Sequence, residues 1–190
     1  MGAIRVSVVG QSGSGKSTFA RCLSARLSLP CLELDGLYHQ KDWSPLSPES
    51  FRTQTYAFVA EHPSWVVDGN YGIVRPLVWS KATHVVWLDI PKAVFMKRLA
   101  VRSLKRITFR QELWNGNRES LRNVLSKDRE ENVLLHAWQT YERNQTLFEH
   151  AFFDEQWQQT RFIRVRNDRD VDKCLDSLAR VFERKGIVDD

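Results

Sequence analysis

The sequence has 190 residues, a length that suits a single α/β domain over residues 1–190 and is short for two domains with separate cores. Hydrophobic residues make up 42% and charged residues 27% of the chain, which excludes a disordered or fibrous protein. The apolar runs are too short to cross a bilayer and no signal-peptide pattern is present, so we expect a cytoplasmic protein. The net charge of +5 favours polyanionic ligands, which include nucleotides, phosphorylated metabolites and nucleic acid.

Strands and helices alternate along the chain. Short apolar runs predict five strands, at residues 4–9, 31–34, 65–67, 85–90 and 161–165. Apolar residues at helical spacing predict helices at residues 16–27, from Pro48 onward, and at 92–103, 133–153 and 171–182. This alternation predicts a parallel sheet covered by helices on both faces, a three-layer α/β fold. Residues 104–132 are basic and polar with weak periodicity, which is typical of a mobile lid.

A phosphate-binding loop is the most specific motif. Residues 10–17 match G-x-x-x-x-G-K-[ST] at every specified position, directly after a predicted strand and before a predicted helix. Main-chain N–H groups of such a loop converge on phosphate oxygens, Lys16 reaches the β- and γ-phosphates, and Ser17 binds Mg²⁺. The motif therefore predicts binding of ATP with Mg²⁺. The residues predicted to contact the nucleotide are Gly10, Gln11, Ser12, Gly13, Ser14, Gly15, Lys16, Ser17 and Thr18.

Three carboxylates follow predicted strands. Asp35 comes at the end of the second strand, where it can accept a proton from an attacking hydroxyl, bind substrate without taking a proton, or cap a turn. Asp68 ends the third strand and Asp89 the fourth, and either can hold Mg²⁺. We favour Asp68 as the metal ligand because the Gly69-Asn70 turn behind it is polar and flexible. For Asp89, which stands just before a proline-terminated strand end, a structural cap is an equal alternative.

Cations are concentrated in the segment after the fourth strand. Arg98 and Arg102 are four residues apart, so they share a helix face from which two guanidinium groups can meet triphosphate oxygens during transfer. A solvated basic face is the alternative. Arg118, Arg122 and Arg143 add further cations without a ranked role. Trp43 follows Asp35 in a polar loop, where its ring suits a planar or sugar-like acceptor or simply packs the loop.

The chain resembles the adenylate-kinase-like P-loop proteins often labelled DNA topology modulation or FlaR-related proteins. The segments that carry the resemblance are residues 10–17, 32–38, 65–71 and 86–91. The resemblance implies the nucleoside-monophosphate-kinase fold with a sheet in the order 2-3-1-4-5, an ATP site at the loop and a lid after the helix that follows the fourth strand. It also implies that Asp68-Gly69 lies near Mg²⁺ and that Arg98 and Arg102 form the ATP-contacting pair.

Two departures bear on the acceptor. The second-strand segment lacks the Thr-Gly-Asp pattern of adenylate kinases, and no Gly-Phe-Pro-Arg follows Asp68, so AMP is not the expected acceptor. The Asp35-Gly36-x-Tyr38 segment is more similar to kinases that phosphorylate a hydroxyl, such as uridine-type or gluconate-type enzymes.

The leading hypothesis is an ATP- and Mg²⁺-dependent kinase of a small acceptor, with Lys16, Asp35, Arg98 and Arg102 as catalytic residues and Ser17 and Asp68 at the metal. The acceptor group is a hydroxyl or phosphate of a nucleoside, nucleotide or sugar-like metabolite. An ATP-binding, nucleic-acid-associated regulator is the alternative, although no nucleic-acid-binding signature is present. Slow ATP hydrolysis without an acceptor is a third reading.

Overall fold

The computed structural model describes residues 3–120 and 132–187. Five parallel strands form one sheet in the order β2-β3-β1-β4-β5. The strands are β1 (Arg5–Gly10), β2 (Cys31–Glu33), β3 (Trp65–Asp68), β4 (His84–Leu88) and β5 (Arg161–Val165). The helices are α1 (Lys16–Leu27), α2 (Leu34–Tyr38), α3 (Pro48–Glu61), α4 (Arg75–Trp79), α5 (Lys92–Thr108), α6 (Val133–Ala151) and α7 (Asp168–Ile187). The predicted fold class and sheet order are confirmed.

The centre of the sheet is β1. Val6 is paired with Val66 of β3 on one side and with His84 of β4 on the other. Every residue of β3 and β4 is buried, and so are all residues of β1 after Arg5. Burial on both faces explains why these strands read as continuous apolar runs rather than as alternating ones.

Two apolar clusters cover the two faces of the sheet. The first cluster includes Phe19 of α1 and Phe95 and Leu99 of α5. The second contains most of the large aromatic rings, among them Trp65 and Trp79, each at most 2% exposed. Burying a side chain of the size of Phe or Leu contributes about 1.5–3 kcal/mol to the free energy of folding. The two clusters therefore stabilise the sheet, and the loops extend from its carboxyl edge.

The element boundaries differ from the sequence prediction in a few places. The second strand ends one residue early, because Leu34 already begins α2. Both α2 and α4 have only five residues, too few to show a helical period in the sequence. Helix α5 continues to Thr108, into the start of the predicted lid at 104–132. Residues 121–131 of that lid, including Arg122, lie outside the described residues.

No helix within the described ranges is both long and apolar enough to cross a membrane.

Candidate active site

The phosphate-binding loop joins β1 to α1 at the carboxyl edge of the sheet. Gly15 precedes the first helical residue with φ of 98°, and the Ser14 amide donates to the Gln11 carbonyl at 3.0 Å. The loop packs against α5: a Cβ on Gly13, where φ is 85°, would lie 2.5 Å from the Phe95 carbonyl oxygen. Glycine is therefore required at this position both by the left-handed backbone and by the close approach.

Polar atoms in this loop are buried without partners. Gln11 Nε2 and Ser14 Oγ are inaccessible and make no hydrogen bond. Lys16 is only 9% exposed and forms none of the ion pairs found among the described residues. Burying such groups without partners costs free energy that a bound polyphosphate would recover. The loop thus fits the triphosphate of a nucleotide. Of the other residues predicted to contact the nucleotide, Ser12 is half-buried and Thr18 is exposed in the first turn of α1.

Asp68 and Ser17 meet below the loop. Asp68 is the last residue of β3, is 3% exposed, and has an inaccessible Oδ1 without a hydrogen-bond partner. Burial raises the pKa of Asp68, while the charge of Lys16 and a hydrogen bond with Ser17 act in the opposite direction. A buried carboxylate beside a hydroxyl, with one oxygen unpaired, fits a hard divalent cation such as Mg²⁺. Since the described residues contain no cluster of three acidic, histidine or cysteine ligands, phosphate oxygens and water would complete its coordination.

Asp35 lies in α2, two residues after β2 ends. The Tyr71 hydroxyl donates to Asp35 Oδ1 at 2.8 Å, and His39 Nε2 lies 3.5 Å from the same hydroxyl. Burial, followed by the charge of Asp35, raises the pKa of Tyr71, so the phenol remains a donor. Burial lowers the pKa of His39, with Asp35 opposing. The charge of Asp35 also acts to raise the pKa of Asp68, after the larger effects of burial, Lys16 and Ser17.

The two predicted arginines have different surroundings. Both border a groove of about 830 Å³ along α5. Arg98 donates to both carboxylate oxygens of Asp168 at 3.0 Å, at the start of α7. Arg102 has a buried Nε without a partner. Burial and then the charge of Arg106 lower the pKa of Arg102, and the charges of Glu119 and Asp35 act in the opposite direction. Arg102 therefore has a side chain without a carboxylate partner among the described residues, whereas Arg98 is paired with Asp168.

Asp89, the alternative metal ligand, is fully engaged elsewhere. It accepts hydrogen bonds from Arg164, at 2.7 Å, and from the Gln145 side chain. These contacts fasten β4 to β5 and α6, which favours the structural interpretation of Asp89 over a role at the metal.

Two irregular segments pack together beside Asp35. Residues 36–46 contain the 3₁₀ turn Lys41–Trp43 and residues 111–118 contain the 3₁₀ turn Trp114–Gly116, and each turn is enclosed by an isolated antiparallel bridge. We call these two segments the turn pair. Asn115 Nδ2 donates to the carbonyls of Gly36 and His39, at 3.0 and 2.7 Å. The turn pair thus fixes the helix that carries Asp35 to the segment that follows α5.

The sequence prediction gave no role to Tyr71, Trp114, Asn115 or Asn117. The Trp114 ring lies on Gly36, where an added Cβ would be 2.6 Å from Cδ1, and its Nε1 donates to Glu33 at 3.1 Å. Trp43 is a member of the turn pair, because its amide donates to Asn117 Oδ1 at 2.8 Å and its Nε1 to the Arg118 carbonyl at 3.3 Å. The Trp-Asn-Gly-Asn run at 114–117 was the available signal, since asparagine and glycine favour turns with positive φ.

Comparison with known proteins places the fold among P-loop kinases. No family model matches the chain. A shikimate kinase from Acinetobacter baumannii in complex with shikimate aligns with a TM-score of 0.55 at 16% identity, covering 96% of this chain and 95% of that one. A gluconokinase from Sinorhizobium meliloti 1021 aligns with a TM-score of 0.54 at 16% identity, covering 100% and 99%. The described chain therefore has the fold of the P-loop kinases.

Sequence comparison points in the same direction. A shikimate kinase from Thermosynechococcus vestitus is 32% identical over 112 residues, which are 52% of this chain and 61% of that protein. The chain spans between 35% and 61% of the length of the curated relatives it matches. These findings support the P-loop kinase part of the predicted resemblance. None of the proteins named here is an adenylate kinase or a topology modulation protein, so that narrower resemblance stays a prediction.

Proposed function

We propose that the protein is an ATP- and Mg²⁺-dependent kinase that transfers the γ-phosphate to a hydroxyl of a small acceptor. The observation that carries the proposal is the grouping of a phosphate-binding loop, a buried Asp68–Ser17 pair and Asp35 at one sheet edge. Unpaired buried polar atoms in the loop and at Asp68 support a nucleotide with a cation as the missing partner.

Each residue has a distinct role in this reaction. The loop amides and Lys16 bind the polyphosphate, and Ser17 and Asp68 hold the cation. Mg²⁺, when bound, neutralises charge on the β- and γ-phosphate oxygens. Asp35 takes the proton of the acceptor hydroxyl as its oxygen bonds to the γ-phosphorus, and the bond from that phosphorus to the bridging oxygen of ADP breaks. Tyr71 orients Asp35, and Arg102 offsets the charge that shifts during transfer.

Arg98 has a separate position in this scheme. Its ion pair with Asp168 lies at the start of α7, next to the end of β5, so we propose that it borders the nucleotide without contacting the transferred phosphate. The lid at 104–132 also remains a proposal. Within its described part, residues 111–118 pack on the segment that carries Asp35 through the turn pair.

The nucleic-acid alternative has weaker support. The basic stretch on α5 is partly neutralised within the protein, because Arg98 pairs with Asp168 and Arg106 pairs with Glu119 at 2.6 Å. A surface that binds the backbone phosphates of nucleic acid would keep such arginines free of carboxylate partners within the protein. An increase in DNA affinity of several orders of magnitude at low salt would favour the alternative.

The test is ADP production from ATP with a panel of nucleosides, sugars, sugar acids and hydroxy acids. We expect at least one hydroxyl compound to stimulate ADP release, with no stimulation in Lys16→Ala. Asp35→Asn should abolish transfer while leaving MgATP affinity within about twofold, because the amide keeps the shape but cannot accept the proton. Unchanged turnover in Asp35→Asn would remove Asp35 from this role. Absence of MgATP binding to the folded wild-type protein would refute the whole proposal.

A further inference from the structure

The His39 imidazole lies next to the carboxylate that is proposed to take the acceptor's proton. The Tyr71 hydroxyl stands between the two groups: it donates to Asp35 Oδ1 at 2.8 Å, and His39 Nε2 lies 3.5 Å from its oxygen. Tyr71 follows β3, whereas Asp35 and His39 belong to the segment that follows β2. The fold thus brings together three groups that can each give up or accept a proton.

Several contacts hold the ring of His39 in place. The rings of Tyr38 and Trp43 meet it edge-on, with centres 5.1 and 5.4 Å away. The His39 carbonyl accepts a hydrogen bond from Asn115 Nδ2 at 2.7 Å, which fixes its main chain to the turn pair. The ring is therefore supported on both sides, and a shift of about 0.5 Å brings Nε2 within ordinary hydrogen-bond distance of the Tyr71 hydroxyl.

Burial sets the protonation states of the two groups next to Asp35. It raises the pKa of Tyr71, so this phenol passes a proton on only by giving one up as it takes another. Burial lowers the pKa of His39, with the charge of Asp35 opposing, so the ring is neutral at neutral pH and has one nitrogen free to accept. Tyr38 and Tyr71 are the titratable side chains in contact with the ring. The charged side chains on the neighbouring turns are all exposed: Lys41, Asp42, Glu112 and Arg118.

We propose that His39 receives, through Tyr71, the proton that Asp35 takes from the acceptor hydroxyl. The proposal rests on the proposed kinase function and adds a proton relay to it. As the acceptor oxygen bonds to the γ-phosphorus, its O–H bond breaks and the proton binds a carboxylate oxygen of Asp35. The Tyr71 hydroxyl then turns to His39 Nε2, and the carboxyl proton passes to the Tyr71 oxygen as the phenolic proton passes to Nε2. Asp35 is again a carboxylate, Tyr71 is again a phenol, and the His39 imidazolium releases one proton to water.

The relay returns Asp35 to its basic form without water in front of the acceptor. An imidazole ordinarily binds a proton more tightly than a carboxylate does, so the proton moves from the site toward the half-exposed ring of His39. His39 contacts neither the acceptor nor the nucleotide in this relay. Its removal should therefore change the turnover rate and its pH dependence, and leave the affinity for MgATP unaltered.

Nitrogen NMR of the ligand-free protein tests the relay without an acceptor. Long-range ¹H–¹⁵N spectra distinguish the tautomers of the five histidines, and His39→Gln identifies the His39 signals. We expect neutral His39 to carry its proton on Nδ1, which leaves Nε2 free to accept. Asp35→Asn imitates the protonated acid, because its amide can donate to the Tyr71 oxygen.

In Asp35→Asn the Tyr71 hydroxyl should turn to His39, so the Nε2 resonance should move upfield. Adding Tyr71→Phe should abolish that shift. A neutral His39 with its proton on Nε2 in the wild type, or an Nε2 resonance that Asp35→Asn leaves unchanged, would overturn the relay.

ADP release from MgATP with water as the acceptor tests the relay in turnover. His39→Gln keeps a hydrogen-bonding side chain that does not carry a proton at neutral pH. His62→Gln is the matched control, because His62 is also half-buried but lies between α3 and β3, at the opposite edge of the sheet. We expect His39→Gln to lower kcat at least tenfold at neutral pH with the KM for MgATP within twofold, and His62→Gln to match the wild type.

The pH profile separates the relay from a purely structural role of His39. A protonated His39 cannot accept, and burial lowers its pKa, so wild-type kcat should fall as the pH drops below about 6.5 and through the folded-state pKa. This dependence should be absent from His39→Gln and from Tyr71→Phe. A wild-type profile or an unchanged kcat in His39→Gln would contradict the relay and leave the kinase function standing. Absence of MgATP binding to the wild type would instead refute the kinase function, and the relay with it.

Discussion

Removing the Asn117 side chain should open the turn pair while the rest of the fold stays closed. Asn117 is 4% exposed, its Nδ2 donates to the carbonyls of Gln40 and Trp114 at 2.8 and 2.9 Å, and its Oδ1 accepts from the Trp43 amide at 2.8 Å. Two of these bonds, to Gln40 and from Trp43, join segments 36–46 and 111–118. At about 0.5–1.5 kcal/mol for each hydrogen bond, Asn117→Ala therefore weakens the contact between the segments by roughly 1–3 kcal/mol. That corresponds to opening that is about 5- to 150-fold more frequent.

Native-state hydrogen exchange measured by mass spectrometry resolves this local effect from global unfolding. Peptides covering residues 36–46 and 111–118 should exchange faster in Asn117→Ala, whereas peptides from β1 and β4 should keep wild-type rates. Asn144→Ala is the matched control, because the side chain of this half-buried asparagine of α6 makes no hydrogen bond with the described residues. Wild-type exchange in both segments of the Asn117 variant would show that the turn pair is held by other contacts.

Three further predictions address the metal pair, the turn pair and the sheet edge. Burial raises the pKa of Asp68, so its contribution to stability is full below the ordinary aspartate pKa of about 3.9 and is lost as pH rises through the folded-state pKa. Asp68→Asn should therefore raise the Tm of the ligand-free protein by more at neutral pH than in acid, and an unchanged Tm at neutral pH would contradict this. Gly36→Ala, whose Cβ would meet the indole at 2.6 Å, should speed exchange in the turn pair, whereas Gly72→Ala, with no atom within 4 Å, should not. Arg164→Gln removes the nearer of the two arginines beside the 9% exposed carboxylate of Asp89, leaving Arg166 at 3.7 Å, and should lower the free energy of unfolding by roughly 1.5–3 kcal/mol in urea titrations. A loss below about 0.5 kcal/mol would show the pair of Arg164 and Asp89 to be dispensable.

The sequence predicted those parts of the fold that depend on local pattern. The apolar run of β1 and the glycines that follow it identify the phosphate-binding loop, since the chemistry of that loop is contained in eight consecutive residues. The position of Asp68 at the end of the apolar run of β3 likewise led to its prediction as a metal ligand. Sheet order was implied by the family resemblance rather than by the residues themselves.

The acceptor side was not predictable from local pattern, because its contacts join residues far apart in the chain. Tyr71 reaches Asp35 across 36 positions, and Asn115 reaches Gly36 across 79. Helix α4, which presents Arg75, has five residues and shows no period. A basic segment likewise gives no indication of which cations are paired, so the different surroundings of Arg98 and Arg102 emerge only from the tertiary structure.

Ion pairs distinguish the arginines that join elements of the fold from the arginines without a carboxylate partner among the described residues. Arg98, Arg106 and Arg164 each have a carboxylate within 3.0 Å, and each joins two elements. Arg75, Arg102 and Arg143 make no ion pair within the described residues. Arg75 connects to Asp35 through Tyr71, whose carbonyl accepts from the Arg75 amide and whose hydroxyl donates to Asp35. Arg102 keeps a buried Nε without a partner beside the groove along α5, so it is the member of the predicted pair with Arg98 that stays available to an anionic ligand.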